Sequence, residues 1–190
     1  MKKKLRITFN SPVVLGFAAV CLLATLLNYV TWGLANEYVF MTYRSSLKDP
    51  LTYLRLICHV FGHADWEHLI GNMCYILLLG PMLEEKYKAR ALIEVILVTA
   101  LITGLINSVF FPNVALCGAS GVVFGFIILS SFTNFREREI PLTFLLAAVF
   151  YIGQEILQGM LLTDNVSNMA HIVGGVVGGL AGYGLNKKGK

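Results

Sequence analysis

Long apolar runs dominate the chain, and short polar clusters separate them. Six runs stand out, at about residues 12–34, 66–83, 91–110, 118–132, 141–162 and 168–185. An α-helix needs roughly 20 apolar residues to cross a hydrocarbon core about 30 Å thick. The pattern therefore predicts an all-α, polytopic membrane protein, one domain over residues 1–190 with six transmembrane helices. The first run is too long for a signal-peptide core and lacks a clear small-residue cleavage site, so it is expected to be retained.

Composition supports that reading. Hydrophobic residues make up 56% of the chain and charged residues only 14%, with a mean hydropathy of +0.70. A soluble domain carries about 25% charged residues and could not bury so much apolar surface. Intrinsic disorder is excluded for the same reason.

Charge orients the helices. The net charge of +4 does not mark a nucleic-acid partner, because the 15 Lys and Arg lie in small scattered clusters. Basic residues concentrate on the cytoplasmic side of membrane proteins. With six spans and a cytoplasmic N-terminus, twelve basic residues lie inside: Lys2, Lys3, Lys4, Arg6, Lys86, Lys88, Arg90, Arg136, Arg138, Lys187, Lys188 and Lys190. Only Arg44, Lys48 and Arg55 lie outside. Both termini are then cytoplasmic. The outside loop 35–65 is rich in apolar residues and is expected to lie partly immersed on the membrane.

Polar groups inside a bilayer are costly and mark function by default. Basic residues give a depth ruler for them. Ser120 precedes Arg136 by 16 residues and His171 precedes Lys187 by 16, which puts both about 24 Å above the inner edge. Asn72 and His68, measured from Lys86, lie at about 21 and 27 Å. A serine, two histidines and an asparagine thus share one layer below the outer surface. From Ser120 to Phe132 the fourth helix is too short to span, and Pro112 and Asn113 precede it. The chain is expected to dip into the membrane as loop and begin its helix near Ser120. Irregular backbone at that depth needs water or protein around it, so a water-filled cavity open to the outside is expected there.

Glycine spacing predicts which helices touch. Gly121 and Gly125 are four apart, as are Gly174, Gly178 and Gly182. Residues four apart share a helix face, and small-xxx-small faces allow close approach. His171 lies three residues before Gly174, so packing the two stripes brings it beside Ser120: a hydroxyl nucleophile and a base.

Other chemistry has less support. Cys21, Cys58, Cys74 and Cys117 form no CxxC pair, and Cys21 and Cys74 sit inside apolar runs. His59, His63, Asp65 and His68 offer nitrogen and oxygen ligands, so a metal-dependent membrane hydrolase stays open as an alternative, although no HExxH occurs.

Three motifs appear along the chain: His63-x-x-x-x-His68-x-x-x-Asn72, then Gly118-Ala119-Ser120-Gly121, then Ala170-His171-x-x-Gly174-x-x-x-Gly178. Together they resemble the rhomboid family of intramembrane serine proteases, over about residues 12–186. The resemblance implies that Ser120 is the nucleophile and His171 the general base, with no cofactor and no metal. It implies that His68, Asn72 and the backbone N–H of Ser120 form the oxyanion hole. His59 and His63 then match structural histidines of the first loop, Glu84 a structural carboxylate, and Arg55 the arginine of a Trp-Arg pair in which Leu54 replaces tryptophan. Phe124 stands where many bacterial members carry a tyrosine packed on the histidine. The implied substrates are single-span membrane proteins, cleaved near the outer face, and the implied location is the lipid bilayer of a bacterial inner membrane. The fifth helix and the loop 161–167 match a lateral gate, with Gln154, Glu155 and Gln158 in the outer half of that helix. The residual alternative within this likeness is a non-enzymatic relative that binds membrane helices.

Overall fold

The structure, a computed structural model, describes residues 8–133, 142–143, 145–146, 149–150 and 165–187. Among the described residues every regular element is helical, and the one extended pairing is an isolated bridge between Thr42 and Leu116. The fifth apolar run, the loop 161–167 with its proposed gate, and Arg136 and Arg138 fall largely or wholly outside the described residues.

Helix α1 spans Pro12–Val30. Proline at its first position has the φ that a helix start requires and removes one orphan donor. Ser11 does not cap the next two N–H groups. Glu84, some 70 residues away, does so: Oε1 accepts from Val13 and Oε2 from Val14, each at 3.1 Å. A buried carboxylate on a positive helix end contributes about 0.3–2 kcal/mol. One face of α1 buries Val14, Phe17, Cys21 and Ala24, while Leu23 and Leu27 face outward. The helix stops four residues earlier than its apolar letters suggest. Thr31 turns its hydroxyl back to the Leu27 carbonyl at 2.7 Å, and Trp32 and Gly33 take φ of 56° and 97°, which no helix continues through.

The first loop is more ordered than its sequence suggests. It holds a π-helix, Asn36–Phe40, and helix α2, Pro50–Cys58. Asp49 caps α2 by accepting from the Leu51 N–H at 2.9 Å. Arg55 and Leu56 point inward from α2, and Tyr53, Leu54 and Ile57 point outward.

Helix α3, Trp66–Phe110, joins the second and third apolar runs. It breaks at Lys88, with φ 72° and ψ 157°, into two arms, 66–87 and 89–110. The arms are longer than the apolar runs because Glu84, Glu85 and Lys86 are good helix formers that remain helical past the hydrophobic boundary. Two described helices, α1 and α3, are long and apolar enough to cross a membrane.

Helix α4 is Ser120–Ser130 and α5 is Asn165–Lys187, the sixth apolar run. The α4 boundary falls at Ser120, not at residue 118, because Gly118 has φ +124° and Ala119 is the cap. Val122, Val123, Phe126 and Leu129 are buried in one core with Leu69, Ile76, Leu92 and Ile96 of α3. Many large apolar side chains on the outer surface are exposed, Leu78 at 73% and Leu180 at 71% among them. A single such residue is ordinary on a soluble protein, but continuous apolar faces mark contact with another phase.

Candidate active site

The two glycine stripes meet face to face. A Cβ on Gly174 would overlap the carbonyl of Gly121, and one on Gly178 would overlap that of Gly125. From the other side, a Cβ on Gly121 would lie 3.2 Å from the Ala170 oxygen, and one on Gly125 3.2 Å from the Gly174 oxygen. Backbone therefore rests on backbone, as only glycine permits. Gly182 continues the stripe against the Phe132 ring. Gly179, one residue off the stripe, has nothing nearer than Ile128 at 3.7 Å.

That crossing sets the position of Ser120 and His171. Gly121 abuts Ala170, so the residues beside them, Ser120 and His171, lie on abutting turns. Phe124, one turn after Ser120, lays its ring on His171, with centroids 4.4 Å apart and planes at 33°. Ser120 is the first residue of α4, where the backbone N–H groups are unpaired within the helix and the dipole is positive. Both Ser120 and His171 are half-buried.

His68 reaches the same place from α3. The His68 ring fills the space where a Gly118 side chain would stand, with Nε2 2.7 Å from the ideal Cβ position. Gly118 thus holds a left-handed φ and yields room to a ring. His68 also meets the His63 ring edge-on at 5.0 Å and lies within electrostatic range of His171. Its backbone N–H bonds the Asp65 cap at 2.8 Å. Asn72, one turn on, is buried at 7% exposure, and its amide nitrogen has no hydrogen-bond partner among the described residues. Such an orphan donor costs about 1–3 kcal/mol and calls for an explanation.

A polar frame carries the loops around this cluster. His59 donates from Nε2 to the Ala100 carbonyl at 3.0 Å, while its own carbonyl accepts from the Gly118 N–H at 2.9 Å. One residue therefore ties α2, α3 and the approach to α4 together. His63 donates from Nδ1 to the Phe61 carbonyl, and its carbonyl accepts from Asn36 Nδ2 at 2.9 Å. Burial pushes the imidazoles of His59 and His63 down to about 4, so both are neutral at ordinary pH. Arg55, 3% exposed, is bound by Asp49 at 2.7 Å and Ser45 at 3.2 Å, and lies over the Tyr43 ring. Leu54 takes no part in this anchorage and faces outward. Glu84 lies apart from the cluster, at the far end of α1.

Three residues of the frame were not among the sequence candidates. Thr99, Thr103 and Asn107 form a buried stripe on α3. Thr103 donates to the Thr99 carbonyl at 2.7 Å, and Asn107 donates to the carbonyls of Thr42 and Val114 at 3.2 and 3.0 Å. Thr42 and Leu116 pair by two backbone bonds of 2.9 and 2.8 Å. Their signal was the spacing of polar residues four apart within an apolar run. Among the described residues no three His, Cys, Asp or Glu side chains converge as metal ligands would, and His59 and His63 direct ring nitrogens at backbone carbonyls instead.

The Rhomboid domain, as a family profile, matches residues 50–188. The chain belongs to the rhomboid family. Similar rhomboids include Rhomboid-related protein 2 of Mus musculus, 29% identical over 90% of this chain and 63% of its own length. Rhomboid-related protein 1 of Caenorhabditis elegans is 30% identical over 68% of this chain and 39% of its own. Rhomboid protease GlpG of Haemophilus influenzae is 22% identical over 92% of this chain and 91% of its own. The chain thus spans less than two thirds of the first two relatives, and nearly all of the third. Rhomboids are integral membrane proteins, known as intramembrane serine proteases that act on transmembrane substrates, and rhomboid-related members without activity also occur.

Proposed function

We propose that this rhomboid is an intramembrane serine endopeptidase working through a Ser120–His171 dyad. The observation that carries the reading is the α4–α5 crossing, which sets Ser120 and His171 on abutting turns with Phe124 stacked on the imidazole. His171 takes the proton of Ser120 as Oγ attacks the peptide carbonyl. The tetrahedral oxyanion is held by the amide of Asn72, the His68 ring and the Ser120 N–H. The C–N bond then breaks as His171 passes its proton to the leaving amine, and water hydrolyses the ester by the same route in reverse. The unused donor of buried Asn72 supports the oxyanion role, since it has hydrogen-bonding capacity that the folded chain leaves open.

The membrane path is six helices with both termini cytoplasmic, supported by the twelve-to-three distribution of basic residues. Substrates are single-span proteins whose helix unwinds near the outer face, because an intact helix keeps its carbonyls in its own hydrogen bonds.

The test is cleavage of a model single-span protein by the purified full chain in detergent. Ser120→Ala and His171→Ala should each abolish cleavage, the double variant should be no worse, and EDTA should have no effect. Cleavage that survives Ser120→Ala would sink the dyad.

A further inference from the structure

The second arm of α3 and the C-terminal half of α5 pack against each other and both line one space. Between them runs an open apolar groove of about 370 Å³. Ala91, Val95 and Val98 line one wall, and Leu180, Ala181 and Gly184 line the other. Ala91, Val95 and Val98 repeat at four and three residues, as do Val177, Ala181 and Gly184, so each wall is one helix face. Small residues at Ala91, Ala181 and Gly184 keep the groove open, and a Cβ added at Gly184 would meet nothing within 4 Å.

The dimensions decide between occupants. From Ala91 to Ile102 the wall is about 16 Å long, half of a hydrocarbon core of about 30 Å. A helix about 10 Å across would need roughly 1,200 Å³ over that length. The groove therefore cannot enclose a helix, and its volume matches one alkyl chain of one leaflet.

Its mouth is cationic. Arg90 precedes Ala91, and Lys187 follows Leu185 by two residues. Asn186 bonds the Tyr87 hydroxyl at 2.9 Å, which fixes the end of α5 beside the turn that carries Arg90. Glu94, on the groove wall, accepts from Arg90 Nε at 3.0 Å in an exposed pair, and the Nη groups of Arg90 are donors suited to a phosphate. Basic pockets between membrane helices are the sites that anionic headgroups take.

We propose that this groove binds one anionic phospholipid, its acyl chain between the two helices and its phosphate on Arg90 and Lys187. The leaflet, the inner one, rests on the cytoplasmic placement of Lys187; the site itself does not. The lipid packs on Val177 and Leu180, next to Gly178 in the α4–α5 seam, so its occupancy supports α5 from the side that α4 does not cover.

Native mass spectrometry of the full chain in detergent tests this, with phosphatidylglycerol or phosphatidylcholine of equal chain length added. The expected result is one retained phosphatidylglycerol and weaker retention of phosphatidylcholine. Gly184→Leu, whose side chain enters open space, should lose the retained lipid, and with lipid stripped from both it should melt like the parent. Arg90→Gln and Lys187→Gln should each lower the preference for phosphatidylglycerol about fivefold. Three results would each overturn the proposal: equal retention of both lipids by the parent, full retention by Gly184→Leu, or cross-linking of two chains through Val98→Cys. Peptide cleavage is not part of the readout, so failure of the protease reading leaves this result standing.

Discussion

Two regions hold the Ser120–His171 cluster, and they do so by opposite means. The α4–α5 seam is built on close volume: glycine faces backbone at Gly121–Gly174 and Gly125–Gly178. The frame of the first loop and α3 is the reverse, a set of buried polar groups that bind backbone, with His59, His63, Asn36, Arg55 and Asn107 as its members. A seam made of excluded volume responds to size and ignores pH. A frame made of neutral imidazoles and amides tolerates small changes of volume but responds to protons. The difference says which perturbation each region should feel.

The largest effect is expected at the seam. Gly174→Leu and Gly178→Leu should abolish cleavage, since a displacement near 1 Å at the reacting groups costs on the order of 100-fold and leucine demands more. Gly179→Leu, with open contacts, should stay near the parent rate. Equal activity in Gly178→Leu and Gly179→Leu would show that the seam does not set the site.

Asn72→Ala comes next and separates chemistry from structure. Turnover should fall about 10²–10³-fold, as for loss of one oxyanion donor. Stability should hold or rise, because the amide donor it removes is buried without a partner. A loss of stability with turnover intact would make Asn72 a packing residue.

Glu84→Gln should cost about 1–2 kcal/mol of stability, read as a lower melting temperature in detergent, with turnover per folded molecule unchanged. Among the described residues the carboxylate's hydrogen bonds go to the start of α1.

The smallest effect is the frame's response to pH. His59 and His63 titrate near 6.5 when unfolded and near 4 when buried. The unfolded chain therefore binds more protons in that window, and stability, complete above pH 6.5, declines as pH falls towards 4. The melting temperature should drop by a few degrees between pH 7 and pH 5. His59→Gln, which keeps a donor for Ala100, should flatten that slope. A slope unchanged in His59→Gln would locate the sensitivity elsewhere.

Much of this was legible in the sequence, for reasons that differ by residue. The seam was readable because glycines four apart have one structural consequence inside a membrane helix. The start of α4 was readable because Pro112 and Asn113 cannot continue a helix and the apolar run from Ser120 is too short to span. The end of α1 was not, since Trp32 at φ 56° carries no sign of a left-handed turn in its letter. Helix α3 hid the length of its first arm because charged Glu84, Glu85 and Lys86 read as a loop although they continue the helix up to the break at Lys88. The Thr42–Leu116 bridge joins residues far apart in the chain, and no local pattern announces such a pairing.

The carboxylate of Glu84 also imposes an order of events during synthesis. Val14 and its acceptor are separated by 70 positions in the chain. At about 5–20 residues per second, the ribosome delivers Glu84 roughly 4–14 seconds after Val14. Throughout that interval the first turn of α1 has water as its only acceptor. The first hydrophobic helix is therefore born with a frayed end, and it gains its final length only when the next one arrives.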